Sequence, residues 1–285
     1  MGLLGLKIDV DTYWGMKNGV PRLLKTLSDF HVKGTFFLSI GPDNSGRAVI
    51  QLIKNPLFLK KMLRTKATSL YGWRTALYGT LLPAPMIALS FPEIVQQIIE
   101  EGHEVQFHAW DHRRWQDELA KKSTKWIDEW FERGIAGFEK LTGEKPSAFG
   151  APSWLIDERV LNIIQKYNFE YLSCTRAGEP FIHENINVLE IPSDLPCFEE
   201  LEAESGIAVI EKMIKNGRTH ILPVHAEVEG GPFEGQFRNL LKKTIDTGIT
   251  VLELHKIKTT IDTGKIQKRR FRLELLPGRH SPSAV

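Results

Sequence analysis

Short apolar runs rich in β-branched and aromatic residues alternate with amphipathic helical segments along most of this chain, and no other feature constrains its fold more. Leu3 to Val10, Gly34 to Ile40, His103 to His108, Ser147 to Ala151, Tyr171 to Cys174, Val188 to Ile191, Thr219 to His225 and Thr250 to Leu254 read as strands. Helical patterns lie between them. One is opened by Pro21 and runs through Phe30, one spans Pro92 to Glu101 and stops at Gly102, and a long one spans Thr124 to Leu141 with Gly143 beyond it. Others cover Asp157 to Tyr167, Gly206 to Lys215 and Phe237 to Asp246. A helix between two strands returns the chain to the same end of the sheet, so the strands pair in parallel. Such a sheet is either closed as a barrel or open and doubly wound.

At 285 residues, 42% of them hydrophobic, the chain can bury a core without disulfide staples. Its two cysteines, Cys174 and Cys197, give no disulfide framework and no paired zinc-ligand spacing. Neither G-x-G-x-x-G nor G-x-x-x-x-G-K follows any strand, which argues against a nucleotide partner. Met1 to Asp9 lacks the basic lead and long apolar run of a signal peptide, and no stretch is long enough to span a bilayer. The expected compartment is therefore the cytoplasm. The expected organisation is one domain over residues 1–262, with an insert at 44–92 and a basic C-terminal tail at 263–285. Carrying Lys265, Lys268, Arg269, Arg270 and Arg272, the tail reads as a loosely ordered, solvated terminus.

Three signals carry chemistry. In Ile8-Asp9-Val10-Asp11-Thr12, strand periodicity points both carboxylates the same way. Two ionised carboxylates side by side repel, and a divalent cation relieves the repulsion. In His108-Ala109-Trp110-Asp111-His112, two histidines four apart can converge on one metal from a helical turn or tight loop, with Asp111 available to orient one of them. In Ile221-Leu222-Pro223-Val224-His225, an apolar strand ends in a histidine suited to proton transfer. Taken singly, each signal also fits solvated turn aspartates or ordinary core histidines. Together they sit at the carboxyl ends of strands, where parallel α/β folds build their active sites. One carboxylate and two histidines make a facial set open to water and substrate, acceptable to zinc, cobalt, manganese or iron. Cys174 has no histidine near it in sequence and reads as a structural thiol. Trp126, Trp130, Phe131 and Phe138 fall at helical spacing and read as core.

Asp9-x-Asp11, His108-x-x-x-His112 and His225 after an apolar strand resemble the polysaccharide deacetylase family. The resemblance implies a distorted (β/α) barrel of about seven parallel strands. It also implies Asp11, His108 and His112 as ligands of one divalent metal, zinc first and manganese or cobalt next, with Asp9 as general base and His225 as general acid. Gly41 to Arg47, Ser69 to Trp73, His108 to His112 and His225 to Gly230 resemble one branch of that family. Its members deformylate an undecaprenyl-phosphate-linked 4-deoxy-4-formamido-L-arabinose in lipid A modification and polymyxin resistance. A deacetylase of another N-acylated sugar, or an inactive lipid-carrier binding protein, are the alternatives. Trp110, Arg176, Tyr71 and Trp73 are the candidate substrate contacts. Two departures stand out. Gly150 occupies the place of an arginine that binds the catalytic aspartate in the wider family, and Cys174 that of an aspartate. Arg176 is the candidate replacement for the cation near Asp9.

From Asn44 to Pro92 there is no Asp or Glu, while seven cations, among them Lys60, Lys61 and Arg64, interleave with Leu, Phe, Tyr and Trp. That composition suits an interfacial helix on an anionic membrane surface. An ordinary helical cover is the plainer alternative. Confinement of the cations to one leucine-rich stretch argues against nucleic acid. The expected setting is peripheral, on the cytoplasmic face of the inner membrane, where a polyprenyl-phosphate-linked sugar is met.

Overall fold

The computed structural model describes residues 2–47, 77–201, 203–277, 279 and 281–285. Strand β1 spans Leu3–Val10, as read from the sequence, and a π-helical turn over Gly15–Gly19 leads into helix α1, Val20–Asp29. Strand β2 is Thr35–Ser39, helix α2 Pro92–Glu100 and strand β3 Glu104–Ala109. Helix α3, His112–Glu118, follows β3 directly. Helix α4 spans Thr124–Thr142 and ends on Gly143, whose φ of 80° supplies the left-handed stop. Next come strand β4 at Ala148–Phe149, helix α5 at Glu158–Ile164 and three short strands, β5 at Tyr171–Leu172, β6 at Phe181–His183 and β7 at Leu189–Glu190. Helix α6 (Ala203–Ile214), strand β8 (Thr219–His225), helix α7 (Glu234–Asp246), strand β9 (Thr250–Leu252) and helix α8 (Leu254–Thr260) complete the alternation. Beyond them lie the two-residue strands β10 (Lys268–Arg269), β11 (Leu273–Glu274) and β12 (Ser283–Ala284).

The main sheet runs in the order β10-β6-β7-β5-β4-β3-β2-β1-β8. Strand β8 pairs along Leu3 to Asp9 of β1, while β2 takes Lys7 to Val10 and β9 takes Leu3 to Gly5. Neighbours from β7 round to β8 and β9 pair in parallel, which bears out the distorted (β/α) barrel. The strands outnumber the expected seven because β6 inserts antiparallel to β7, β10 adds alongside β6, and β9 pairs with β1 off the main order.

Strand β1 shows how the sequence divides the two faces. Leu4, Leu6, Ile8 and Val10 pack with the helices in the main core, beside Leu23, Leu27 and Phe36. The alternate residues face a smaller inner cluster of Phe37, Tyr171, Ile221, Leu254 and Ile257. At Gly5 a side chain would run into Ile221, Ile257 and Leu254, so α8 stops the amino end of the barrel. Asp9 and His225 lie at the opposite, carboxyl ends of β1 and β8.

The segment after residue 262 corrects an expectation. It does not trail loose: β10 pairs with β6, β11 pairs antiparallel with β12, and Ser283 and Ala284 are fully buried. Arg279 reaches Glu200 at 3.0 Å and the Ser153 carbonyl at 3.2 Å. A basic composition hid a segment fixed by backbone pairing and a few specific contacts. No helix among the described residues is long and apolar enough to cross a membrane.

Candidate active site

Asp11 leaves the carboxyl end of β1, and His108 and His112 flank the β3–α3 turn. His108 Nε2 lies 3.1 Å from Asp11 Oδ1, and His112 Nε2 lies 3.2 Å from Asp11 Oδ2. Two local devices aim the histidines. Leu38 pairs with Phe107 and Ser39 with Ala109, so His108 is the extra residue of a β-bulge, which re-aims its side chain. Its Nδ1 lies 2.7 Å from the Gly150 carbonyl, which turns Nε2 towards Asp11. His112 is the first residue of α3 and is held by the cap: Asp111 Oδ1 accepts the Arg114 N–H at 3.0 Å, and Asp111 Oδ2 accepts from the Asn44 side chain at 2.7 Å. Asp111 therefore shapes the turn and does not reach a ligand histidine.

This trio fits a divalent cation. One ligand atom from each of the three residues lies within 4.8 Å of the others. Asp11 Oδ1 and His108 Nε2 are buried, and neither makes a hydrogen bond. Burial pushes the Asp11 carboxyl up, but the imidazoles of His112 and His108 outweigh it and hold it below the usual carboxylate range. Burial pushes the His112 imidazole down to about 4. At neutral pH the carboxylate is ionised and His112 neutral, the forms that bind metal.

Asp9 and His225 are register partners on β1 and β8, so they stand side by side at the same edge. His225 Nδ1 lies 2.9 Å from Glu199 Oε1, and the His225 N–H donates to Glu229 Oε2 at 2.7 Å. Burial alone would lower the His225 pKa, yet Glu199, with Asp11 and Asp9, holds it well above the usual imidazole value. These carboxylates favour the protonated form of the His225 imidazole. Glu229, pushed by burial up to about 8, and Glu227, pushed well above the usual carboxyl range by burial and the Asp11 charge, line the same loop.

The cation beside Asp9 is Lys7, not Arg176. Lys7 is fully buried, forms an ion pair with Asp9 Oδ2, and lies over the rings of Phe37 and Trp154 at 5.0 and 5.2 Å. Gly150 makes room for it: a side chain there would begin 2.9 Å from the Phe37 ring and 3.2 Å from Lys7 Cε. Arg176 is committed elsewhere, donating to the carbonyls of Ser193 and Leu195 and to Glu200 at 2.8 Å. Strand periodicity places Lys7 on the face of Asp9, which is the signal that could have found it. Glu199 carried no such signal, because it meets His225 only through the fold.

Trp154 ties these groups together. Arg176 and Arg279 lie over its ring at 4.7 and 4.8 Å from the centroid, and it meets the His225 ring edge-on at 6.2 Å. Ser153 and Trp154 both have positive φ, 55° and 52°, a strained backbone that surrounding contacts must hold. Trp110 is half-buried, with its ring packed over Gly41 at the border of the core. Cys174 is fully buried, its thiol pushed well above the usual range by burial and by Glu190, so it is no nucleophile. Tyr71, Trp73, Lys60, Lys61 and Arg64 lie outside the described residues.

A family model described as polysaccharide deacetylase matches residues 7–172. A protein of Shewanella sediminis (strain HAW-EB3), named as a 4-deoxy-4-formamido-L-arabinose-phosphoundecaprenol deformylase, is 36% identical over 233 residues, covering 80% of this chain and 76% of that protein. One of Wigglesworthia glossinidia brevipalpis with the same name is 32% identical over 251 residues, covering 84% of this chain and 87% of its own length. Among solved structures, one described as a polysaccharide deacetylase from Mycobacterium smegmatis aligns with a TM-score of 0.67 and 18% identity over 96% of this chain and 95% of that one, a likeness of fold. The matched sequence and the site it builds agree: the chain belongs to the polysaccharide deacetylase family and is a hydrolase of amide bonds.

Proposed function

We propose that this chain removes the formyl group from an undecaprenyl-phosphate-linked 4-deoxy-4-formamido-L-arabinose, releasing formate and the free amino sugar in a metal-dependent reaction. The observation that carries the reading is the Asp11 carboxylate lying between His108 and His112, at 3.1 and 3.2 Å, with His225 at the same edge and paired with Glu199 at 2.9 Å. The names of the two relatives supply the substrate class. The biological setting follows from that class: lipid A modification and polymyxin resistance, at the cytoplasmic face of the inner membrane. The acid-free insert at 44–92 supports contact with an anionic surface, and Leu81 near its end is 81% exposed.

Asp11, His108 and His112 would hold the metal, zinc first and manganese or cobalt next. When bound, it supplies Lewis-acid polarisation of the amide oxygen and a lowered pKa for the attacking water. Asp9, held by Lys7, takes the proton from that water. His225 gives the proton on its ring to the amide nitrogen, without which an amine is a very poor leaving group. Glu199 keeps that proton on His225 until it is needed.

A formate-release assay on the lipid-linked formamido sugar tests the reading, run beside the acetamido analogue and after chelation. Release of formate that chelation abolishes is the expected result. Acetate release exceeding formate release, or turnover indifferent to chelation, overturns it.

A further inference from the structure

We propose that a cavity of about 320 Å³ between the C-terminal segment and the loop after β5 is a binding site for an organic phosphate, a monoester or diester on a sugar-sized group. Its walls carry four arginines, Arg176, Arg269, Arg270 and Arg272, against a single acidic side chain, Glu274. Such a wall selects anions, and arginine's planar fork matches phosphate oxygens better than a point charge does.

The four differ in availability. Arg176 is spent inward on Glu200 and two carbonyls, and serves as wall. Arg270 pairs with Glu184 and Arg272 with Glu274, but these side chains are 65% and 77% exposed, and exposed pairs hold weakly. A ligand phosphate can draw both arginines away. Arg269 is the anchor. Its guanidinium is stacked on the Phe181 ring at 4.2 Å, so its orientation is fixed. Its Nε is buried without any hydrogen-bond partner. The guanidinium stands in the cavity wall, where it is the pre-oriented cation a phosphate would meet.

The size of the cavity argues for more than a bare ion. It falls at the lower end of small-molecule sites, room for a phosphate and the sugar beside it. Its position argues for a link to the chemistry. Arg176 lines the cavity and stacks on Trp154, and Trp154 meets the His225 ring. The phosphate can come from a lipid-linked carrier or from a free sugar phosphate. The inference goes beyond the hydrolase reading and is measured by binding, without turnover.

Calorimetric titration of the full chain with glucose 1-phosphate, and co-sedimentation with phosphatidylcholine vesicles holding phosphatidic acid, test it. The variants are Arg269→Gln, Arg269→Lys and the exposed pair Arg270→Gln/Arg272→Gln, each checked for its melting temperature without ligand. Arg269→Gln should weaken binding by about tenfold or more, with Arg269→Lys between it and wild type. Loss confined to glucose 1-phosphate assigns the site to free sugar phosphates. Loss confined to vesicles assigns it to a lipid carrier, and loss of both supports the shared chemistry. Should Arg269→Gln fail to fold, a weakening of the same order in the exposed double variant carries the proposal. Wild-type binding of both probes in every folded variant, or no binding of either probe by wild type, overturns it.

Discussion

Asp9 and His225 pair in register across β1 and β8, which puts the base and the acid of the proposed reaction side by side on adjacent strands. They differ in what stands beside them: Asp9 has the Lys7 ammonium and His225 the Glu199 carboxylate. On the His225 side the carboxylate favours the protonated imidazole.

Glu199 raises the proton affinity of His225, so the imidazolium persists to higher pH. Since the acid must be protonated, kcat falls as pH rises through the His225 pKa. In Glu199→Gln that fall should move to lower pH, with metal content unchanged. In His225→Asn turnover should drop roughly 100- to 10,000-fold, again with metal bound. A pH–rate profile of each variant, with metal analysis, checks both. An unshifted profile in Glu199→Gln would remove its role.

Lys7→Met leaves the buried Asp9 carboxylate without its cation. Breaking a buried pair by removing one partner costs about 3–5 kcal/mol. The variant should unfold at markedly lower urea concentration, and Lys7→Met/Asp9→Asn should recover part of the loss. A double-mutant cycle by urea denaturation measures the coupling.

Gly150→Ala should destabilise by about 1–3 kcal/mol, because the new methyl meets the Phe37 ring and the Lys7 stem in a packed interior. It also presses on the carbonyl that orients His108. Metal affinity should therefore fall along with stability, which a competitive chelator titration reads.

Asp11 Oδ1 and His108 Nε2 are buried 3.1 Å apart with no other hydrogen-bond partner, a pair that a divalent cation would bridge. Adding zinc to chelated protein should raise its melting temperature, by an amount equivalent to about 2.7 kcal/mol at a hundred times Kd. The rise should vanish in His108→Ala/His112→Ala.

His103 supplies a pH signature away from the site. Burial lowers its imidazole to about 4 in the fold, with Lys33 adding to the shift. The unfolded chain takes up this proton below about 6.5. Stability is therefore full above that pH and declines as pH falls towards 4, by at most about 1.4 kcal/mol per unit. His103→Gln should flatten this part of the profile in urea titrations across pH.

Much of the site was legible because strands announce their ends. Strands β1 and β8 are mostly apolar and span the ranges expected from the sequence, Leu3–Val10 and Thr219–His225, which brings Asp9, Asp11 and His225 to one edge. His108 and His112 were legible for the same reason, but the bulge that aims His108 was not, since a bulge is a mismatch between two strands and leaves no mark on one. Strand β6 has three residues and β10 two, too short for any period to register. Glu199, Trp154 and Arg279 acquire their roles only where the fold brings separate segments together.

Strand β10 has a consequence for how molecules of this protein meet one another. It covers the outer flank of β6, Phe181-Ile182-His183, and itself consists of Lys268 and Arg269. A sheet that terminates on two cations is a poor template for a neighbouring copy, whereas an apolar strand with open amides is a good one. Shortening the chain before residue 266 would exchange a repelling border for an adhesive one, and crowded solutions of the truncated form should turn cloudy.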